Sequence, residues 1–170
     1  MLNEKLASLI NNQIQKEFYS SYLYLGMSNY YNDVGLDGFA NWFYVQVQEE
    51  LDHAMLFRTY MNNNNKPVTL QSIEAVSSKY ADYLAPLNEA LKHEEYVTGL
   101  INTIYQAANE EHDYRTTEFL NWFIKEQGEE EKNTSDLITK FNLYGNDAKG
   151  LYQLNQELMT RVYTAPSLVL

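Results

Sequence analysis

The chain of 170 residues contains no cysteine. That absence excludes a disulfide framework, thiolate zinc sites, iron–sulfur ligation and a thiol nucleophile, and it is compatible with a reducing cytoplasm. Proline and glycine are scarce, at three and seven, which leaves room for long uninterrupted helices. Basic residues are few as well: 12 Lys and Arg stand against 23 Asp and Glu, for a formal net charge of -11. The resulting surface repels phosphate backbones and anionic lipid, so nucleic acid and membrane are disfavoured as partners and cations are favoured. No run approaches the ~18 apolar residues that a membrane helix needs. The first six residues, Met1 to Leu6, lack the basic and apolar segments of a leader peptide. The expectation is a soluble, unprocessed, cytoplasmic protein.

What the chain does have is apolar content, 45% of its residues, enough for one domain over residues 1–170 with a real core. Its periodicity is helical. From Glu4 to about Asp33, apolar residues recur at steps of three and four: Leu6, Leu9, Ile10, Ile14, Phe18, Tyr22, Leu25. Gly35 suits a left-handed helix terminus and Asp37 an N-cap, which predicts a short turn and an antiparallel second helix running to about Asn62. That helix is expected to bury Phe39, Trp42, Phe43, Val47, Leu51 and Ala54. Residues from about Asn64 to Ser78 show no helical period. Such a stretch spans up to ~50 Å at ~3.3 Å per residue, so it predicts a crossover and parallel second and third helices. The third helix begins between Asp82 and Pro86 and continues past Tyr96 and Leu100 to Ala107. The fourth is capped by Asp113 and stopped by Gly145, and a short fifth covers roughly Asp147 to Arg161. The fold class is therefore all-α: a four-helix bundle with a long crossover and a short C-terminal helix.

The candidate site comes from an internal echo. Adding 77 to Glu17, Glu50 and His53 lands on Glu94, Gln127 and Glu130. Each half thus carries a lone Glu, a gap of 33, then a polar pair at i, i+3, whose members share a helix face. The helix midpoints fall near residues 18, 50, 96 and 128, so these side chains share one layer of an aligned bundle. Alone, a Glu-x-x-His pair is usually a solvated surface pair; the repeated spacing at mid-helix is what points inward. Buried ionised carboxylates cost several kcal/mol each and repel one another, and no Lys or Arg on the first three helices is spaced to neutralise them. Two divalent ions would, with Glu50 placed to bridge. Oxygen donors with one imidazole suit iron or manganese, tolerate zinc and do not suit copper(I). His93 and His112 lack helical partners and read as surface.

At these residues the chain resembles the bacterial non-haem ferritins. The likeness rests on Gln15 to Tyr24, on Gln48 to Ala54 with its Glu49-Glu50-Leu51-Asp52-His53, on Lys92-His93-Glu94, on Phe119 to Phe123, and on Glu126 to Lys132. It implies a ferritin-like bundle with a ferroxidase centre in each subunit, and a homo-oligomeric hollow shell of roughly twenty-four subunits that stores ferric mineral. It implies one iron held by Glu17, Glu50 and His53, a second by Glu50, Glu94 and Glu130, and Gln127 beside them. It also implies a third iron site from Glu49, Glu126 and Glu129 with Glu130, and Tyr24 as electron donor, although a buried core tyrosine fits Tyr24 as well. Fe(II), with dioxygen or hydrogen peroxide, would be the substrates. Bacterioferritins carry Glu-x-x-His in both halves and take haem through a Met; here the equivalents are Glu130 and Asp52, so haem is not expected. Three rivals stand beside ferroxidase storage: a storage shell without oxidation chemistry, a di-iron oxidase of an organic substrate, and a metal-free scaffold.

Overall fold

The computed structural model describes residues 2–170. Its elements are α1 (Glu4–Asp33), α2 (Asp37–Asn63), α3 (Ala85–Glu110), α4 (Tyr114–Tyr144) and α5 (Ala148–Leu158). Among the described residues there is no strand, and no helix is long and apolar enough to cross a membrane.

Capping explains most of the boundaries. Asn3 starts α1 by accepting from the Leu6 N–H at 2.8 Å, Asp113 starts α4 by accepting from Thr116 N–H at 3.2 Å, and Asp147 starts α5 by accepting from Lys149 and Gly150. Asp82 accepts from Leu84 and Ala85 ahead of α3, whose second residue is Pro86. Three helices end alike, with a left-handed residue after the cap and paired 6→1 and 5→2 hydrogen bonds. At α1 this residue is Gly35, with φ 77°, and Leu36 N–H donates to Tyr31 O at 2.9 Å. At α2 and α3 the positions are taken by Asn65 and His112, with φ 55° and 53°. His112 is exposed, as expected.

The start of α2 departs from expectation. Asp37 is its first helical residue, and the capping position is Leu36, whose side chain caps nothing. The cap comes from α5: Asn155 Oδ1 accepts from Gly38 N–H at 2.8 Å and Phe39 N–H at 3.3 Å. A Cβ on Gly38 would lie 1.7 Å from the Asn155 carbonyl oxygen, so only glycine permits the docking.

The crossover runs alongside α1. Asn11 exchanges two hydrogen bonds with the Thr69 backbone, Gln15 donates to Ser72 O, and Tyr31 donates to Tyr83 O at 2.6 Å. It thus travels from the start of α1 to its end, which makes α3 antiparallel to α1 and parallel to α2. Gly26 lets the crossover pack closely, since a Cβ there would meet Val76 at 2.9 Å.

The core is divided. One apolar cluster joins Tyr24, Tyr31, Phe39, Phe43, Leu137 and Phe141; the other joins Leu6, Ile14, Phe57, Ile101, Phe119 and Phe123. Each long helix carries a gap between the two: residues 15–22, 48–56, 91–96 and 124–136. Every anticipated layer residue lies in one of those gaps. Some expected core positions are solvent-facing, among them Tyr22, Leu51 and Tyr96 at 48%, 42% and 47% exposed. At 100° per residue, Leu51 is turned a quarter of the way round from Glu50, and Tyr96 is nearly opposite Glu94. The inward stripe of α1 runs instead through Glu17, Ser20, Tyr24, Met27 and Tyr31.

Candidate metal centre

Glu17 on α1 and Glu50 and His53 on α2 each place one ligand atom so that all three lie within 4.8 Å of one another. All three side chains are buried, and His53 Nδ1 stands 3.4 Å from Glu50 Oε2. Trp122 and Phe123 wall the imidazole edge-on, at centroid distances of 5.6 and 5.7 Å. Glu94 on α3 and Glu130 on α4 complete the layer and are likewise buried.

Three of the four carboxylates, those of Glu17, Glu94 and Glu130, are steered by a side-chain amide or hydroxyl. Gln13 Nε2 donates to Glu17 Oε1 at 2.8 Å, and Gln46 Nε2 to Glu130 Oε2 at 2.7 Å. The Tyr24 hydroxyl donates to Glu94 Oε1, while Gln127 Nε2 reaches Glu94 Oε2 at 3.1 Å. Gln13 is legible in the sequence as the residue four before Glu17 on the same helix; Gln46 is not, because its partner Glu130 lies on another helix. Glu17 Oε2 is left buried with no hydrogen-bond partner. A buried acceptor without a donor costs about 1–3 kcal/mol, more when charged, so this atom suits either a cation or a proton shared with Glu50.

The electrostatics agree. Burial, with the neighbouring Glu50, raises the Glu17 carboxyl well above its usual range. Burial with Glu94 and Glu130 does the same for Glu50, and burial raises Glu94 against the opposing hydrogen bonds of Tyr24 and Gln127. Glu130 is pushed up to about 8 by burial and by Glu94 and Glu49. The Tyr24 phenol is also raised, by burial and then by Glu94 and Glu50. Without a cation, burial and mutual repulsion favour the neutral forms of these acids, and Glu130 keeps its proton at neutral pH; a nearby cation would favour their ionised forms.

The residues expected at a third site behave differently. Glu49 and Glu126 are partly buried and Glu129 is exposed. They line a cleft of about 360 Å³ that also reaches His53 and Trp122. Among the described residues only Glu17, Glu50 and His53 form a tight ligand cluster. Glu49 already has a cation: Arg161, from beyond α5, pairs with it at 2.7 Å. The expectation that His93 is a surface residue fails. It is 9% exposed, its Nε2 lies 2.7 Å from Ser20 Oγ, and its ring meets Tyr24 edge-on. One step along α3 from Glu94, it turns toward α1, and burial with Lys16 nearby lowers its pKa to about 4.

A family model described as a ferritin-like domain matches residues 7–144. The chain belongs to the ferritin family. Among its relatives, a probable bacterial non-heme ferritin-like protein of Haemophilus influenzae is 36% identical, over 93% of this chain and 96% of that protein. A bacterial non-heme ferritin of Campylobacter jejuni is 34% identical, over 92% and 93%. Among solved structures, an engineered closed form of the Archaeoglobus fulgidus ferritin superposes with a TM-score of 0.94 at 39% identity, covering 96% of this chain and all of that one. The open-pore ferritin of the same archaeon gives 0.94 at 38% identity. This ferritin therefore shares its fold, its fifth helix included, with relatives along nearly its whole length.

Proposed function

We propose that this ferritin binds two ferrous ions in the intra-bundle layer, oxidises them with dioxygen or hydrogen peroxide, and stores the ferric product within a hollow homo-oligomeric shell in the cytoplasm. The observation that carries the reading is the unpartnered, buried Glu17 Oε2 beside Glu50 and His53. Family membership and relatives named as ferritins support it.

In this reading Glu17, Glu50 and His53 hold one ferrous substrate ion, Glu50, Glu94 and Glu130 hold the second, and Glu50 bridges. Gln13, Gln46 and Gln127 fix carboxylate orientation, so that ions meet a prearranged set of donors. A shell of hard oxygen donors favours the ferric over the ferrous state and thereby assists electron loss. Tyr24, whose hydroxyl donates to Glu94, stands where it can supply a further electron to the oxidant. Trp122 and Phe123 pack edge-on against His53, and the cleft that reaches His53 is bordered by Glu49, Glu126 and Glu129, a lining that suits cations better than an apolar organic substrate. Ferric ions leaving the centre would pass these three acids, the third site, on the way to storage.

The test is rapid mixing of ferrous-loaded protein with oxygenated buffer. The wild type should develop diferric absorbance with two irons per chain, and Glu17→Ala and His53→Ala should each slow it by at least tenfold. Equal kinetics in all three proteins would overturn the assignment.

A further inference from the structure

Beyond Leu158 the chain does not trail into solvent. The Asn41 side-chain amide holds the carbonyls of Leu158 and Arg161 at 3.1 and 3.0 Å. The Arg161 guanidinium lies 4.7 Å over the Trp42 ring, donates to the Trp42 carbonyl at 3.1 Å, and donates to Glu49 Oε2 at 2.7 Å. The Tyr163 hydroxyl then donates to Asp52, and Trp122 Nε1 on α4 donates to Ser167 Oγ at 3.0 Å. Residues 161–167 therefore form a strap from α2 to α4, with Thr164 to Ser167 walling the cleft that reaches His53.

The position of Arg161 is electrostatically specific. Glu49 sits in a partly desolvated place that favours its neutral form, and Arg161 is the strongest influence opposing that. The side chains of the pair are only 22% and 19% exposed, so its charge-assisted hydrogen bond is less screened than that of a surface ion pair. Arg161 holds Glu49 Oε2, so a divalent cation at Glu49 would bind through Oε1 or share Oε2, and in either case the two positive charges would repel across a few ångströms.

We propose that Arg161 is the resident counter-ion of the third site: it stands in for a divalent cation at Glu49, sets that site's affinity, and must be displaced with its strap when the site fills. The proposal rests on the third-site assignment above and is a positioning role, since Arg161 acts through Glu49. The guanidinium thus keeps the third site weaker than the intra-bundle pair and open to onward release.

Zinc, which is redox-inert and accepts the same oxygen donors, is the probe. Calorimetric titration of the assembled protein should show a third zinc per chain that Glu49→Gln abolishes. Arg161→Gln keeps a donor for the Trp42 carbonyl but removes the charge, and should tighten that third zinc by about tenfold, or ~1.4 kcal/mol. Arg161→Lys should restore weak binding. In a Trp122→Phe background, the emission of Trp42, whose ring the guanidinium covers, should shift when the third zinc binds and not when only the first two do. An unchanged or weaker third zinc in Arg161→Gln, absence of a third zinc in both proteins, or Trp42 emission that is the same with the third site filled and empty would each overturn the proposal. Loss of the first two zincs is read separately, in Glu17→Ala, and bears on the centre alone.

Discussion

With the centre emptied by chelator, this ferritin should lose stability as pH rises from 5 to 7, and Glu130 isolates the effect. In the unfolded chain a glutamate titrates near its ordinary value of about 4.5, whereas in the fold burial and neighbouring acids push Glu130 up to about 8. The folded state thus holds a proton that the unfolded state releases. Such a group contributes fully below the unfolded pKa, and its contribution is lost as pH climbs toward the folded one. Each pH unit in that interval costs about 1.4 kcal/mol, so moving from pH 5 to pH 7 costs roughly 2–3 kcal/mol from Glu130 alone. Glu17, Glu50 and Glu94 are shifted in the same direction and add to the trend. Glu130→Gln keeps the shape and removes the titration. Thermal melts in chelator should therefore show the variant gaining on the wild type between pH 5 and pH 7 by several degrees, since 1 kcal/mol is worth roughly 2–4 °C in a domain of this size. A constant difference between wild type and variant across that range would refute the reasoning. Zinc should raise the wild-type melting temperature more at pH 7 than at pH 5, because the acids must shed protons to bind it.

Other perturbations test separate parts of the account. Asn155→Ala should uncap α2 and lower stability by about 1 kcal/mol in chemical denaturation, whereas Gly38→Ala, which forces a Cβ against the Asn155 carbonyl, should cost more and loosen α5 in hydrogen exchange. Phe57→Ala should cost roughly 3–5 kcal/mol, since Phe57 is fully buried and stacked on Phe123 at 4.2 Å. Tyr24→Phe should leave two-zinc binding intact but abolish any tyrosyl radical signal seen by electron paramagnetic resonance on oxygenation.

Much of the bundle and its polar layer was legible because both follow from local rules. Apolar period marked the helices, Gly35 and Asp113 marked ends, and the 77-residue echo brought Glu17, Glu50, His53, Glu94 and Glu130 to one depth. What escaped depended on contacts between segments distant in sequence. Asn155 caps α2 from 117 residues away, and Arg161 answers Glu49 across 112; neither leaves a periodic trace. Tyr22 and Leu51 read as core by their apolar character alone; their angular position turns both outward while Glu17 and Glu50 face inward. His93 finds its partner, Ser20, on another helix, which spacing along α3 does not reveal. The tail was blank because its information lies in what it touches.

If the buried acids of the middle layer are arranged for a pair of divalent ions, as proposed, iron supplied to the protein will settle between them. Anomalous diffraction at the iron edge, from crystals soaked anaerobically in ferrous salt, tests this most directly. Two peaks are expected inside each bundle, one touched by Glu17 and His53, the other by Glu94 and Glu130, and both by Glu50. A bundle interior without iron, with density only at exposed carboxylates, would contradict the proposal.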